Sequence, residues 1–135
     1  MLADLIGDLI GGMLGDSLAR VGFRRAWARK AERRQVLSGV RLLSGSQRGI
    51  SREWRVGYWS VAPSRMSLEG IEVTVLGIVA GSDRPARLSE LLAGAEDTTV
   101  VILRTASAEL EWSLMKRLED VARRFLAVPE AEPSS

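Results

Sequence analysis

The sequence predicts an α+β fold: an antiparallel β barrel or sandwich closed by a C-terminal amphipathic helix, with a further amphipathic helix at the N-terminus. Three observations predict it. Between residues 36 and 105, short β-branched and aromatic runs alternate with Gly, Pro, Ser and Asp. From residue 107 to 127 the apolar residues recur at helical spacing instead. Residues 1–34 also read as helix, apolar at the start and basic at the end. The chain therefore divides into an N-terminal helical segment (1–34), a β domain with its closing helix (35–127) and a short Pro-rich acidic tail (128–135) expected to be disordered.

In the first segment Leu2, Leu5, Ile6, Leu9, Ile10 and Met13 fall on one broad face, at about 100° per residue. Asp4, Asp8 and Gly12 fall opposite, flanked by Gly7, Gly11 and Gly15. Each of these glycines weakens an isolated helix by roughly 1 kcal/mol relative to Ala, so the segment needs an external surface to hold it. Leu5, Ile6, Leu9, Ile10 and Met13 are the expected contacts with a membrane or with an oligomer partner. The glycine zipper offers self-association through its small face or a solvated small-residue face. A bilayer span is disfavoured, because each buried Asp costs roughly 2.5–3.5 kcal/mol. The apolar run is also shorter than the ~20 residues a span needs. A secretory signal is disfavoured because no Lys or Arg precedes Arg20. Residues 20–34 then hold seven bases, one acid, Phe23 and Trp27. That composition suits an interfacial anchor meeting anionic headgroups, with Arg24, Arg25, Arg29, Lys30, Arg33 and Arg34 as its contacts. Docking of the helix on protein is the competing reading.

The β region begins with a strand at 36–43 and a loop at 45–52. Residues 53–61 alternate, with Trp54, Val56 and Tyr58 on one face and Arg55, Gly57 and Trp59 on the other. Pro63 starts a tight turn, residues 66–68 return, and Glu69-Gly70 gives the next bend. Residues 71–79 read as one β-branched strand. Residues 80–87 form a loop, 88–92 read either as a strand or as one helical turn, and 98–105 form a buried strand. Arg48, Arg52, Arg55 and Arg65 lie in or near the first hairpin loops. The first three are candidate anion-binding residues, and Trp59 beside Arg55 is the nearest thing to a nucleic-acid platform.

Ser107 is the expected N-cap of the last helix, with Glu109 and Glu111 in its first turn. Leu110, Leu114, Met115, Leu118, Val121, Ala122 and Phe125 make its apolar stripe, with Trp112 at the stripe's edge. Leu118 and Phe125 are expected to plug the open end of the barrel. Glu109 and Glu111 do not share a helical face, and Glu69 and Glu72 flank a bend, so neither pair reads as an acid/base couple.

Composition narrows the function. Cysteine and histidine are both absent, which removes disulfides, thiol chemistry, the commonest general base and the commonest metal ligand. No catalytic motif, cofactor or metal site is expected. Of the 19 basic residues, 17 are Arg, and the net charge is +2. That charge is unevenly spread: −3 over residues 1–19, +10 over 20–65 and −5 over 66–135. The basic middle suits an anionic membrane surface or a partner protein, with nucleic acid the least favoured partner.

Short antiparallel strands closed by one amphipathic helix are the layout of a pleckstrin-homology (PH)-like barrel. Residues 54–73 carry a closer likeness, in Trp54-Arg55-Val56-Gly57, Pro63, Arg65, Ser67 and Gly70-Ile71-Glu72. They resemble the β hairpins of small actinobacterial proteins of unknown function that combine an N-terminal membrane segment, a basic stretch and a PH or GRAM-like domain. The resemblance covers roughly residues 36–126. It implies a PH-like fold and membrane proximity, and no enzymatic activity. The expectation is therefore a non-enzymatic, peripheral membrane-associated adaptor, cytoplasmic at the inner face of the plasma membrane. The alternative is a soluble homo-oligomeric interaction protein whose N-terminal helix packs on protein.

Overall fold

A computed structural model of the chain describes residues 28–87, 90 and 97–133. Most of the expected N-terminal helix lies outside the described residues; residues 28–32 are helical. A turn at Arg33 and Arg34 leads into β1 (Gln35–Gly45), β2 (Arg55–Ala62), β3 (Arg65–Leu68) and β4 (Ile71–Thr74). The chain continues through β5 (Gly77–Val79), β6 (Arg84–Pro85), β7 (Thr98–Arg104) and β8 (Ala108–Met115). It ends with a helix (Lys116–Leu126) and β9 (Glu130–Ala131).

The strands form one sheet in the order β4-β3-β2-β1-β8-β7-β5-β9, with β6 also on β7. Every pairing is antiparallel except the parallel one of β5 with β9. A mostly β chain with helical segments agrees with the α+β class. The expected closed barrel is not formed, since β4 ends the path on one side. The edge of β5 that closure would need is taken by β9.

Directly opposed residues share a face, so the register identifies the core. Val61, Met66 and Val73 form one row, Val40, Trp112 and Val101 a second, and Leu42, Leu110, Leu103 and Ile78 a third. Trp59 and Trp112 are both 0% exposed in this core, and Leu118, Ala122 and Leu126 of the helix join it. Burial of Trp59 corrects its expected place beside Arg55 on an open face. Its indole N–H donates to Arg55 O at 3.1 Å, so it offers no stacking platform.

Three expected elements change. Residues 71–79 divide into β4 and β5, which lie in opposite halves of the sheet. Val75 N–H still donates to Ser64 O in the first half, whereas Leu76 N–H donates to Arg104 O in the second. The chain thus crosses between halves within one peptide unit. The larger change is at 107–115, where the expected helix is the central strand β8. Its residues alternate Ala108, Leu110, Trp112 and Leu114 into the core with Glu109, Glu111 and Ser113 on the other side, and Met115 at its end is buried in the core cluster. Ser107 caps nothing and donates its Oγ–H to Ser46 O at 2.6 Å. The helix starts at Lys116 without a side-chain cap; Lys116 N–H donates to Asp97 O at 2.8 Å instead. Third, residues 130–131 of the expected disordered tail form β9. The hairpin turns follow expectation: Glu69 and Gly70 both take positive φ, +48° and +85°, as a two-residue type I′ turn requires.

Of the two expected helix plugs, Leu118 is buried, while Phe125 is only half-buried and Leu126 is fully buried. Replacing Leu126 with Ala should therefore cost about 2–5 kcal/mol by chemical denaturation. Phe125→Ala should cost about 1–2 kcal/mol, the loss of a partly buried ring and its cation contact. Equal losses at the two positions would mean that the helix is rotated from the orientation described.

Candidate functional site

The sequence-predicted basic residues divide between two ends of the sheet. β1 spans 11 residues, so its ends lie about 30 Å apart at roughly 3.3 Å per residue. Arg29, Lys30, Arg33 and Arg34 enter at the Gln35 end. Arg48 and Arg52 lie in the 46–54 loop beyond the other end, and Arg55, the first residue of β2, stands opposite Val40 at the middle of β1. Arg24, Arg25, Leu5, Ile6, Leu9, Ile10 and Met13 lie outside the described residues.

The Gln35 end is the one the C-terminal helix packs across. Ser64 N–H, in the β2–β3 turn, donates to Leu126 O at 2.7 Å. The Arg34 guanidinium sits 4.8 Å from the centroid of the Phe125 ring, and Arg34 O accepts from Val61 N–H at 2.8 Å. The basic entry segment is thereby fixed against both the hairpin and the helix. Arg65 follows the same turn, and Arg124 lies in the last helical turn; both are exposed. Six basic residues (Arg29, Lys30, Arg33, Arg34, Arg65 and Arg124) thus meet Glu32 and Asp120 as the nearby acids along the chain. Lys30 places its Nζ 5.5 Å from the Tyr58 ring centroid, and Ala31 is buried on the sheet.

The opposite end is electrically balanced. Arg48, Arg52 and Arg55 are exposed and make no ion pair among the described residues. Glu53, Glu69 and Glu72 lie in the same loops and in the strand start beside them. The 46–54 loop folds onto β4: Gln47 Nε2 donates to Glu72 O at 3.5 Å, and Gly49 packs on the Ile71 side chain. Arg52 Nη1 donates to Leu43 O at 3.4 Å.

A third cluster was missed by sequence reasoning. On the outer face of β1 and β8, Arg41 Nε donates to Glu111 Oε1 (2.7 Å), and Arg41 Nη2 donates to Glu90 Oε2 (3.0 Å). Arg84 donates to both Glu90 oxygens (2.7 and 2.8 Å) and to Glu111 Oε2 (2.8 Å). The Arg87 N–H also donates to Glu90. Trp54 packs 4.5 Å from the Arg41 guanidinium and lies over Gly39, where a Cβ would come within 3.2 Å of its ring. Glu90 is only 5% exposed. The Arg84 guanidinium, against the cost of burial, holds its carboxyl down at about 2. Burial pushes the Glu111 carboxyl up, but the hydrogen bonds from Arg84 and Arg41 outweigh it and leave its pKa lowered. Two acids and two bases cancel, and every carboxylate oxygen is engaged, so this is an ion-pair clamp and has no free group for chemistry. Its signal was the alternation of Glu109, Glu111 and Ser113 in a strand; read as a helix, those residues point apart.

Two further carboxylates, Asp83 and Glu119, are each 2.8 Å from Arg123 Nη2, tying the loop after β5 to the helix. Burial and the adjacent Asp83 carboxyl raise the Glu119 pKa. Among the described residues no group of acidic side chains is arranged to hold a metal. Glu109 pairs with Arg104 at 3.0 Å. No family model, no curated protein and no solved structure matches the chain.

Removing one partner of a buried ion pair leaves the other uncompensated, so Glu90→Gln should cost about 2–3 kcal/mol at pH 7, less than a fully buried pair because both arginines are partly exposed. The pKa of Glu90 is depressed on folding, so its contribution is complete above the unfolded carboxyl pKa and is lost as pH falls towards about 2. The gap between wild type and Glu90→Gln should therefore shrink between pH 5 and pH 2 in denaturant melts. A gap independent of pH over that range would show that packing, and not charge, carries the contribution.

Proposed function

We propose that the chain is a non-enzymatic, peripheral membrane-associated binding or adaptor module of PH-like architecture. In this reading it works in the cytoplasm at the inner face of the plasma membrane. The carrying observation is the basic surface at the helix-packed end. There the entry segment is pinned by Arg34 on Phe125, and Arg65 and Arg124 extend it. Five of its six bases are Arg, whose forked donors suit phosphate oxygens. A meander of strands followed by a helix packed across one end supports the PH-like architecture. Among the described residues no helix is long and apolar enough to cross a membrane. The anchor in this proposal is interfacial, the apolar face of residues 1–16 dipping into lipid while the basic end meets headgroups.

A second reading, a soluble homo-oligomeric interaction protein, is favoured by one observation. Ala31 is buried on the sheet and Lys30 lies over Tyr58, so the helical residues 28–32 pack on protein.

Vesicle co-sedimentation of the full chain separates the two. Each charge near an anionic surface contributes up to about 1 kcal/mol. The triple variant Arg33→Gln, Arg65→Gln, Arg124→Gln should bind phosphatidylserine-containing vesicles at least tenfold more weakly than wild type. The triple variant Arg48→Gln, Arg52→Gln, Arg55→Gln should bind nearly as well as wild type, because that end is already neutral. Indifference of binding to the first set would sink the membrane reading at this surface. Concentration-dependent assembly without lipid binding would establish the second reading.

A further inference from the structure

The C-terminal tail occupies a strand position. β9 runs parallel to β5, with Ile78 opposite Glu130 and Val79 opposite Ala131. Ile78 N–H donates to Pro129 O at 3.1 Å, and Ala80 N–H donates to Ala131 O at 2.8 Å. The fit has a steric requirement. A Cβ on Gly77 would lie 3.0 Å from Ala131 Cβ, 3.0 Å from Pro129 O and 3.6 Å from Ala131 N. All three of those atoms belong to the tail, so the bare backbone at Gly77 is matched to a small side chain on a closely approaching strand. The attachment is otherwise slight. Val128 is half-buried at the margin of the core. No side-chain hydrogen bond or ion pair holds residues 127–133 among the described residues. The tail leaves the helix through Ala127, a left-handed cap with φ of +51° whose N–H donates to Arg123 O at 2.9 Å.

An edge strand with unpaired N–H groups is a template for another chain, and extended peptides commonly bind by adding a strand to such an edge. We propose that the β5 edge is a docking site for an extended peptide of the form Val-Pro-x-Ala, and that the C-terminal tail is its resident, displaceable occupant. The ligand must supply carbonyl acceptors at two positions separated by one residue, for Ile78 and Ala80. It needs a small residue to face Gly77 and an apolar residue before the proline to reach the core margin. Proline suits the first acceptor position because only its carbonyl is called upon there. A tethered tail competes at high effective concentration, so the site is masked until a partner peptide or an altered tail releases it. The inference does not rest on the membrane reading.

The test uses the full chain and a fluorescein-labelled Ala-Val-Pro-Glu-Ala-Glu peptide, followed by anisotropy. Ala131→Arg cannot seat against Gly77, so it should eject the resident tail. Amide exchange at Ala80 should then accelerate by at least tenfold, and peptide affinity should rise at least tenfold over wild type. Saturating peptide should restore the slow exchange. Adding Gly77→Val to Ala131→Arg should abolish the gain, and the milder Gly77→Ala serves if the valine variant loses its folded tryptophan signal. Either of two results would overturn the proposal. One is an Ala131→Arg chain with an exposed Ala80 amide that binds peptide no better than wild type. The other is peptide binding that ignores substitution at Gly77.

Discussion

Strand β8 is hydrogen-bonded on both flanks, to β1 and to β7, and the rest of the structure depends on that double pairing. It joins the meander β1–β4 to the group β5–β7 in one sheet. One face of β8 places Leu110, Trp112 and Leu114 in the core, each fully buried. Its other face carries Glu111, which anchors the Arg41–Glu90–Arg84 clamp. Its last residue, Met115, passes straight into the closing helix, so the strand also sets where the helix begins. A strand buried on both faces forms no solvent-facing stripe. The acids on its outer side, Glu109 and Glu111, are therefore tied up in ion pairs, as a buried charge requires, and Ser113 donates to Glu90 O at 3.2 Å.

That arrangement also explains how charge is sorted. The carboxylates beside the middle of the sheet are consumed by Arg41 and Arg84, Glu109 at the start of β8 pairs with Arg104, and those near the helix pair with Arg123. Lys30, Arg33 and Arg34 lie where the chain enters β1, and Arg124 lies where the helix ends. The Arg34–Phe125 contact links those two points. The basic surface is thus a consequence of topology: the helix that follows β8 returns to the β2–β3 turn, which brings residues 34, 65 and 124 to one end of the sheet.

Much of the sheet was legible in the sequence. β1, the β2–β3 turn at Pro63, the Glu69-Gly70 bend and β7 announce themselves through β-branched runs and turn residues, which act locally. Residues 108–115 did not, because Leu110, Leu114 and Leu118 are spaced four apart and Glu, Ala and Leu favour helices. The strict alternation of Ala108-Glu109-Leu110-Glu111-Trp112-Ser113-Leu114 was the competing signal, and tertiary pairing on both flanks decided in its favour. The division of 71–79 was hidden because Val75 and Leu76 are as β-prone as their neighbours; only the partners of their N–H groups separate the two strands. The tail strand was hidden for the converse reason: a Pro-rich acidic tail has little propensity of its own and borrows the edge of β5. Among the candidate residues, charge asymmetry grouped Arg33 and Arg34 with Arg48, Arg52 and Arg55 in one basic region. It could not show that Arg48 and Arg52 lie in the loop beyond the far end of β1 while Arg55 stands opposite Val40 at mid-strand, because those positions are set by the length of β1 and the register of β2.

The central claim is that residues 108–115 form a strand paired on both sides, and nuclear magnetic resonance of the full chain tests it most directly. Extended Cα and Cβ chemical shifts are predicted from Ala108 to Met115, with helical shifts beginning at Lys116. Cross-strand backbone contacts are predicted from Trp112 to both Val40 and Val101. Helical shifts running continuously from Ala108 into the 116–126 helix, with neither contact present, would contradict the account.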